Sequence, residues 1–188
     1  AKVLHNRSVE LAKKYGVDLV VRSSMTRAEG TIVREGAKME KMLVRGVACD
    51  KNTARIAVIG VKDEPGIAFR LFNAVATNNI NVDIMLQSVG REGTKDISFT
   101  VQNDDADDVI AILESIQDTL GFARTDIARD VAKVSIVGAG IMTNSGVASK
   151  MFEALYDAGV NILQISTSEI RVSVLVEEKY VNEAAQAV

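Results

Sequence analysis

The chain has 188 residues, 47% hydrophobic and 25% charged, enough for one ordinary domain or two small ones and too apolar to be disordered. Its 22 basic and 25 acidic residues leave a net charge of −3, which excludes a general attraction to nucleic acid or to an acidic membrane surface. One cysteine rules out a disulfide framework and fits a reducing cytoplasm, no apolar run approaches the ~18 residues that cross a bilayer, and residues 1–10 lack a signal peptide's apolar core.

In chain order, His5 comes first; it is the only histidine, it lies near an end, and no His/Cys cluster has metal-ligand spacing. No catalytic residue, metal or cofactor is therefore assigned to the chain. Residues 41–48 form an apolar β pattern leading into Cys49, which is expected to be a small packed side chain. Ile56, Val58, Ile59 and Val61 make a further β run that ends in Asp63-Glu64-Pro65-Gly66. Ile67, Ala68, Leu71, Phe72, Val75 and Ala76 then recur at helical spacing, and Asn78-Asn79 can stop that helix. A strand through Ile80, Val82, Ile84 and Leu86 and a turn over 90–93 lead to Ile97-Ser98-Phe99-Thr100-Val101, whose alternation predicts one buried face. Asp104, Asp105, Asp107 and Asp108 crowd the start of the next helix, where carboxylates meet the positive end of its dipole; a solvated helix start is preferred to a metal site. A weaker strand over 123–127 completes β-α-β-β-α-β.

Sliding the chain by 80 positions lays residues 66–88 over 146–168, with Gly66/Gly146, Ala68/Ala148, Phe72/Phe152, Ala74/Ala154, Asn81/Asn161 and Ser88/Ser168 identical. The second copy runs through a strand at 134–137, a helix with Val147, Met151, Phe152 and Leu155, strands at 161–165 and 171–176, and a last helix near Lys179. It has no final strand of its own, and the strand at 41–48 is expected to fill the vacancy by antiparallel pairing. The fold class is thus α+β, two ferredoxin-like modules with the first inserted within the second: 53–130, and 39–52 plus 131–188.

The turn before the first helix offers chemistry. Free N–H groups at a helix start can receive a carboxylate, Gly66 removes the Cβ that would block approach, and an acidic neighbour such as Asp63 can hold an ammonium group. The plain alternative is that Asp63 caps the helix. Asn81, Asp83 and Gln87, on the strand expected beside that turn, favour a ligand, because buried amides need partners. Val137-Gly138-Ala139-Gly140 resembles a dinucleotide fingerprint, but Thr143 occupies its third glycine position and a nucleotide site is not expected.

Asp63-Glu64-Pro65-Gly66, the run from Ile80 to Gln87, Val137-Gly138-Ala139-Gly140 and Ile165-Ser166-Thr167-Ser168-Glu169-Ile170 resemble the tandem ACT region of monofunctional bacterial aspartate kinases. Arg7 to Ala12, Val21-Arg22-Ser23-Ser24 and Glu29-Gly30-Thr31 look like the last helix and strands of that family's kinase lobe, so residues 1–38 are read as a remnant of an amino-acid-kinase lobe with its linker. The resemblance implies allosteric feedback control, by lysine, threonine or both, of ATP-dependent aspartate phosphorylation. ATP and Mg belong to the parent lobe; the implied partners are the effector amino acid, a second copy bound through the ACT modules, and a catalytic kinase subunit or lobe. A start upstream of Met39-Glu40, where β subunits of the family commonly begin, leans away from a natural β subunit. In relatives the effector lies where modules of two chains meet, which points to Asp63, Glu64, Pro65, Gly66, Ile67, Ala68, Asn81, Val82, Asp83 and Gln87, and in the second module to Val147, Ala148, Asn161, Ile162, Ser168 and Glu169. The second loop, Thr143-Asn144-Ser145-Gly146, lacks the carboxylate, so the sites should differ. The rival reading is a dimerisation module that senses nothing; a third, the regulatory part of a dehydrogenase, fits the N-terminal segment poorly.

Overall fold

The computed structural model describes residues 4–34, 44–88, 90, 92–138, 141, 144 and 146–188, and divides into a unit at 1–42 and a unit at 43–188. In the first, α1 (Asn6–Tyr15) starts at His5, whose Nδ1 accepts the Arg7 N–H at 3.3 Å, and closes on Gly16 at φ 63°. His5 is thus an exposed helix cap. β1 (Leu19–Val21) and β2 (Thr31–Val33) pair antiparallel.

The second unit holds, in chain order, β3 (Gly46–Lys62), α2 (Ile67–Thr77), β4 (Met85–Gln87), β5 (Thr94–Val101), α3 (Ala106–Leu120), β6 (Arg124–Val137), α4 (Val147–Asp157), β7 (Gln164–Ser168), β8 (Arg171–Glu177) and α5 (Val181–Ala187). They build one six-stranded antiparallel sheet in the order β4-β5-β3-β6-β8-β7. The pairs of short strands expected at 41–48 and 56–61, and at 123–127 and 134–137, are instead two continuous strands of 17 and 14 residues. Each supports the other along its length, from Gly46 opposite Val137 to Ile59 opposite Arg124, with register shifts at Asp50/Thr53 and Thr53/Arg55. Residues 54–62 lie beside β5, whereas 46–50 pair only with 133–137 beside β8. The first β-α-β-β-α-β module is therefore inserted within the second. Residues 41–43 lie outside the described residues.

Alternation explains the two cores. Ile56, Val58, Ile97 and Phe99 meet Leu71, Val75, Val109 and Leu113 from α2 and α3, with the Phe72 ring edge-on to Phe99 at 5.3 Å. Val134, Ile136, Val172, Val174 and Val176 meet Val147, Met151 and Leu155 of α4 and Val181 and Ala184 of α5. Asn79 ends α2 at φ 59°, the left-handed conformation read from Asn78-Asn79. Asp107 pairs with Arg129, and Asp104 accepts from Asn52 Nδ2 at 3.1 Å, so the acidic run is a bonded helix start; no metal-holding group of His, Cys, Asp or Glu occurs among the described residues.

Two expectations change. Cys49 is exposed, because 46–50 is the free edge of the second module's sheet and has a strand on one side only. The helix-free side of the sheet is buried in part: Thr100 of β5, Ser135 of β6, Gln164 of β7 and Ser173 and Leu175 of β8 are all buried. Contacts between strands that are not neighbours in the sheet, β5 with β7 among them, bring its two helix-free faces together. Ser98 Oγ reaches Gln164 Oε1 at 3.4 Å, Ser135 and Ser173 share a hydrogen bond of 2.8 Å, and Asp83 is ion-paired with Lys133 and, at 3.5 Å, with Arg171. Lys133 also lies 3.5 Å from Asp50. Partial burial alone would raise the Asp83 carboxyl, but hydrogen bonds and charge from Lys133 and Arg171 together outweigh it and hold it below the usual carboxylate range.

Leu71 is fully buried, so Leu71→Ala should cost about 2–5 kcal/mol of unfolding free energy, read from urea denaturation. A folded-state value below the unfolded one means that Asp83 adds stability above the unfolded carboxylate range and loses it as pH falls through the folded value. Asp83→Asn should therefore flatten the fall of the urea midpoint below about pH 5, by no more than about 1 kcal/mol for so exposed a pair.

Candidate functional site

The end of β3 delivers Asp63, Glu64, Pro65 and Gly66 to solvent ahead of α2. Gly66 takes φ 88°, which favours glycine, and no side chain caps the helix, so Asp63 is not its cap. The Arg70 N–H bonds Gly66 O at 3.0 Å and the Ile67 N–H reaches Glu64 O at 3.5 Å, while the amides of Ala68 and Phe69 have no partner among the described residues. Asp63 instead donates its own N–H to Gly93 O at 2.9 Å and sets its carboxylate 2.9 Å from Lys95 Nζ. Its other oxygen lies over Gly90, where an added Cβ would come within 2.5 Å. Asp63 is half exposed and Lys95 nearly buried, so the carboxylate keeps one open side. Ile67 is buried and Ala68 half-buried, fixing the first turn of α2 to the core.

Gln87 is exposed at the end of β4, opposite Ile97, at the same end of the sheet as this turn. Asn81, Val82 and Asp83 are at the other end of that segment. They adjoin Thr100: the Asp83 N–H donates to Thr100 O at 3.0 Å and the Ile84 N–H to Thr100 Oγ1 at 3.0 Å. This side-chain contact displaces the regular ladder, which is why the strand expected over 80–86 is confined to Met85–Gln87. Asn81, Val82 and Asp83 line an open cleft of about 350 Å³ with Asp50, Asn52 and Lys133. The first module's candidates are thus two groups, and within one chain Asp83 does not converge on the Asp63 turn. The argument from buried amides also fails, since Asn81 and its repeat partner Asn161 are both exposed.

The second module repeats the backbone. Gly146 takes φ 94° ahead of α4, and Val147 and Ala148 occupy the places of Ile67 and Ala68. Thr143 and Ser145, like Ala139 and Gly140 of the fingerprint-like run, lie outside the described residues. Ile162 is half-buried as Val82 is; Ser168 closes β7 with its Oγ 3.4 Å from Arg171 O, and Glu169 is exposed in the turn that follows. β4 and β7 are the sheet's two outer strands and carry exposed Met85, Leu86 and Ile165.

Sequence reasoning missed Lys95, Lys133 and Arg171. Lys133 and Arg171 occupy the polar phase of β6 and β8, whereas Lys95 shares the phase of the buried Ile97 and Phe99 on β5, where a charge was the available signal.

The ACT domain family model matches residues 56–116 and 134–188. The aspartokinase of Helicobacter pylori is 45% identical over 185 residues, covering 96% of this chain and 45% of that protein; the chain spans less than half the length of such curated relatives. Among solved structures, one of aspartokinase alpha and beta subunits matches at 48% identity and a TM-score of 0.72 over 77% of this chain and 95% of that one. The regulatory subunit of aspartate kinase from Thermus thermophilus matches at 39% identity and a TM-score of 0.74, over 78% and 96% of the two chains. Two glycine-started helices on one doubled sheet, the family match and the near-complete coverage of these two solved chains make the chain a member of the ACT-domain family, a tandem regulatory region of the aspartokinase kind.

Proposed function

We propose that the chain senses lysine or threonine at a contact between ACT modules of two copies, and so exerts feedback control over aspartate phosphorylation by a kinase lobe or catalytic subunit in the cytoplasm. The supporting observation is the start of α2: two amides without partners among the described residues, in the turn that also carries a half-exposed carboxylate oriented by one lysine. A free amino acid supplies what this arrangement lacks, with its carboxylate on the Ala68 and Phe69 amides and its ammonium on the open side of Asp63. Asp83 is no longer an ammonium partner in this reading, because Lys133 and Arg171 occupy it.

The outer strands β4 and β7 supply the surface for the second copy, with Gln87 beside the first turn and Asn161, Ile162, Ser168 and Glu169 along the other edge. Val147 and Ala148 start the weaker site, whose loop carries no carboxylate. ATP and Mg act in the kinase lobe, and residues 33–41 carry the signal to it; 35–41 lie outside the described residues. Ligand shifts the enzyme only through its different affinity for the two states. The Asp63–Lys95 pair also suits the rival reading, a dimerisation module whose loop is satisfied internally.

Calorimetric titration decides between them. At least one of lysine and threonine should release or absorb heat on binding the chain, and Asp63→Ala should weaken that binding about tenfold or more while the dimer mass is retained. No heat with either amino acid and no change in dimer mass leaves only the dimerisation module.

A further inference from the structure

The registers reveal a pseudo-symmetric contact between the two helix-free faces. Arg55 stands opposite Thr100 in the first module as Lys133 stands opposite Leu175 in the second. The Asp83 N–H binds Thr100 O at 3.0 Å as the Leu163 N–H binds Leu175 O at 2.8 Å. The backbone is therefore duplicated, but the charge is not. Where the first module has Asp83 the second has Leu163, and of the two equivalent cations Lys133 is paired whereas Arg55 has a buried Nε without a partner among the described residues.

Asp83 is thus the one carboxylate of its kind, and both cations that reach it come from the second module. Lys133, only 14% exposed, approaches from β6; Arg171 approaches from the first residue of β8. Arg171 is also the residue whose carbonyl lies 3.4 Å from Ser168 Oγ across the β7–β8 turn. Arg171 thus touches Asp83 of one module through its guanidinium and Ser168 of the other through its carbonyl, inside a single polypeptide.

We propose that Lys133 and Arg171 are positioning residues: they clamp the 81–83 segment onto the second module and make the two candidate effector sites of one chain interdependent. The clamp itself is a property of the free chain, and its regulatory consequence rests on the sensing function above. A ligand that draws on Asn81 or Val82 acts on the segment that carries Asp83, and a ligand at Ser168 and Glu169 acts on the turn that carries Arg171. Either event changes the same ion pair, so each biases the other.

Hydrogen exchange on the dimeric chain tests both parts, comparing the wild type with Arg171→Gln, Lys133→Gln and the charge-conserving Arg171→Lys. Without ligand, both Gln variants should speed exchange at the Asp83 and Ile84 amides about tenfold, leaving Phe99 and Val101 unchanged, and Arg171→Lys should restore much of the protection. Unchanged exchange at Asp83 and Ile84 overturns the clamp whatever the chain binds. With whichever of lysine and threonine binds, protection should appear at both 83–84 and 168–171 in the wild type and at only one of them in Arg171→Gln. Protection at both in that variant, or at only one in the wild type, overturns the interdependence. Absence of heat with both amino acids in the wild type is a different result: it removes the sensing function, and with it the interdependence, while the ligand-free exchange still judges the clamp.

Discussion

The antiparallel pairing of β3 with β6 is the constraint on which the second unit depends. Each strand serves both modules, its inner half in one sheet and its outer half in the other, so neither module is closed without the other. A slip of one residue between them would turn the core side chains of one of these two strands to the wrong face in both modules. The register shifts around Asp50, Thr53 and Arg55 fall where the polar Asp50, Asn52 and Thr53 interrupt the apolar alternation. There the helix-free faces come together around the cleft that Asn81, Asp83 and Lys133 line.

Those faces meet through small hydroxyls rather than through a second apolar core. Ser98 Oγ reaches across to Gln164 Oε1, Thr100 accepts from the Ile84 N–H within the first module, and Ser135 and Ser173 bond each other within the second. Gln164 Nε2 is buried without a partner among the described residues, and Leu175 has zero exposure. Short polar side chains let two sheets approach closely, and each buried hydroxyl must find a partner in the one arrangement that supplies it. The contact therefore contributes more to fixing the angle between the modules than to the free energy of folding, which comes from the two helix-covered cores.

What the sequence disclosed follows from what is periodic. The duplicated pattern around Gly66 and Gly146, the helical spacing from Ile67 to Ala76 and the alternation from Ile97 to Val101 each mark one buried face, and each became the expected element. The vacant strand of the second copy was legible too, because an antiparallel module short of one strand requires one from elsewhere. What remained hidden was everything set by contact between distant polar residues. Serines and threonines in the polar phase of a strand look the same whether water or another sheet lies beyond them. An aspartate before a helix looks like a cap until Lys95 is seen to hold it, and nothing local in Asn81-Val82-Asp83 shows that its carboxylate belongs to Lys133 rather than to a ligand. Cys49 was misjudged for the related reason that apolar neighbours do not reveal whether a strand is central or at an edge.

The duplication also explains why the modules are unlike in chemistry while alike in backbone. Gly66 and Gly146 differ by a few degrees in φ, and each helix starts on a left-handed glycine, so the same peptide frame is offered twice. The frame supplies amide donors, which serve any carboxylate; discrimination between amino acids has to come from the side chains placed around it. The first module sets Asp63 and Lys95 there and pledges Asp83 to the second module, whereas the second has Leu163 at the place of Asp83 and leaves Arg55 without a matching acid. Two sites built on one frame, with charge at one and not the other, are suited to different occupants or to different strengths of binding. A sheet shared between them gives each a direct mechanical connection to the other, which two identical and separately folded modules would not have.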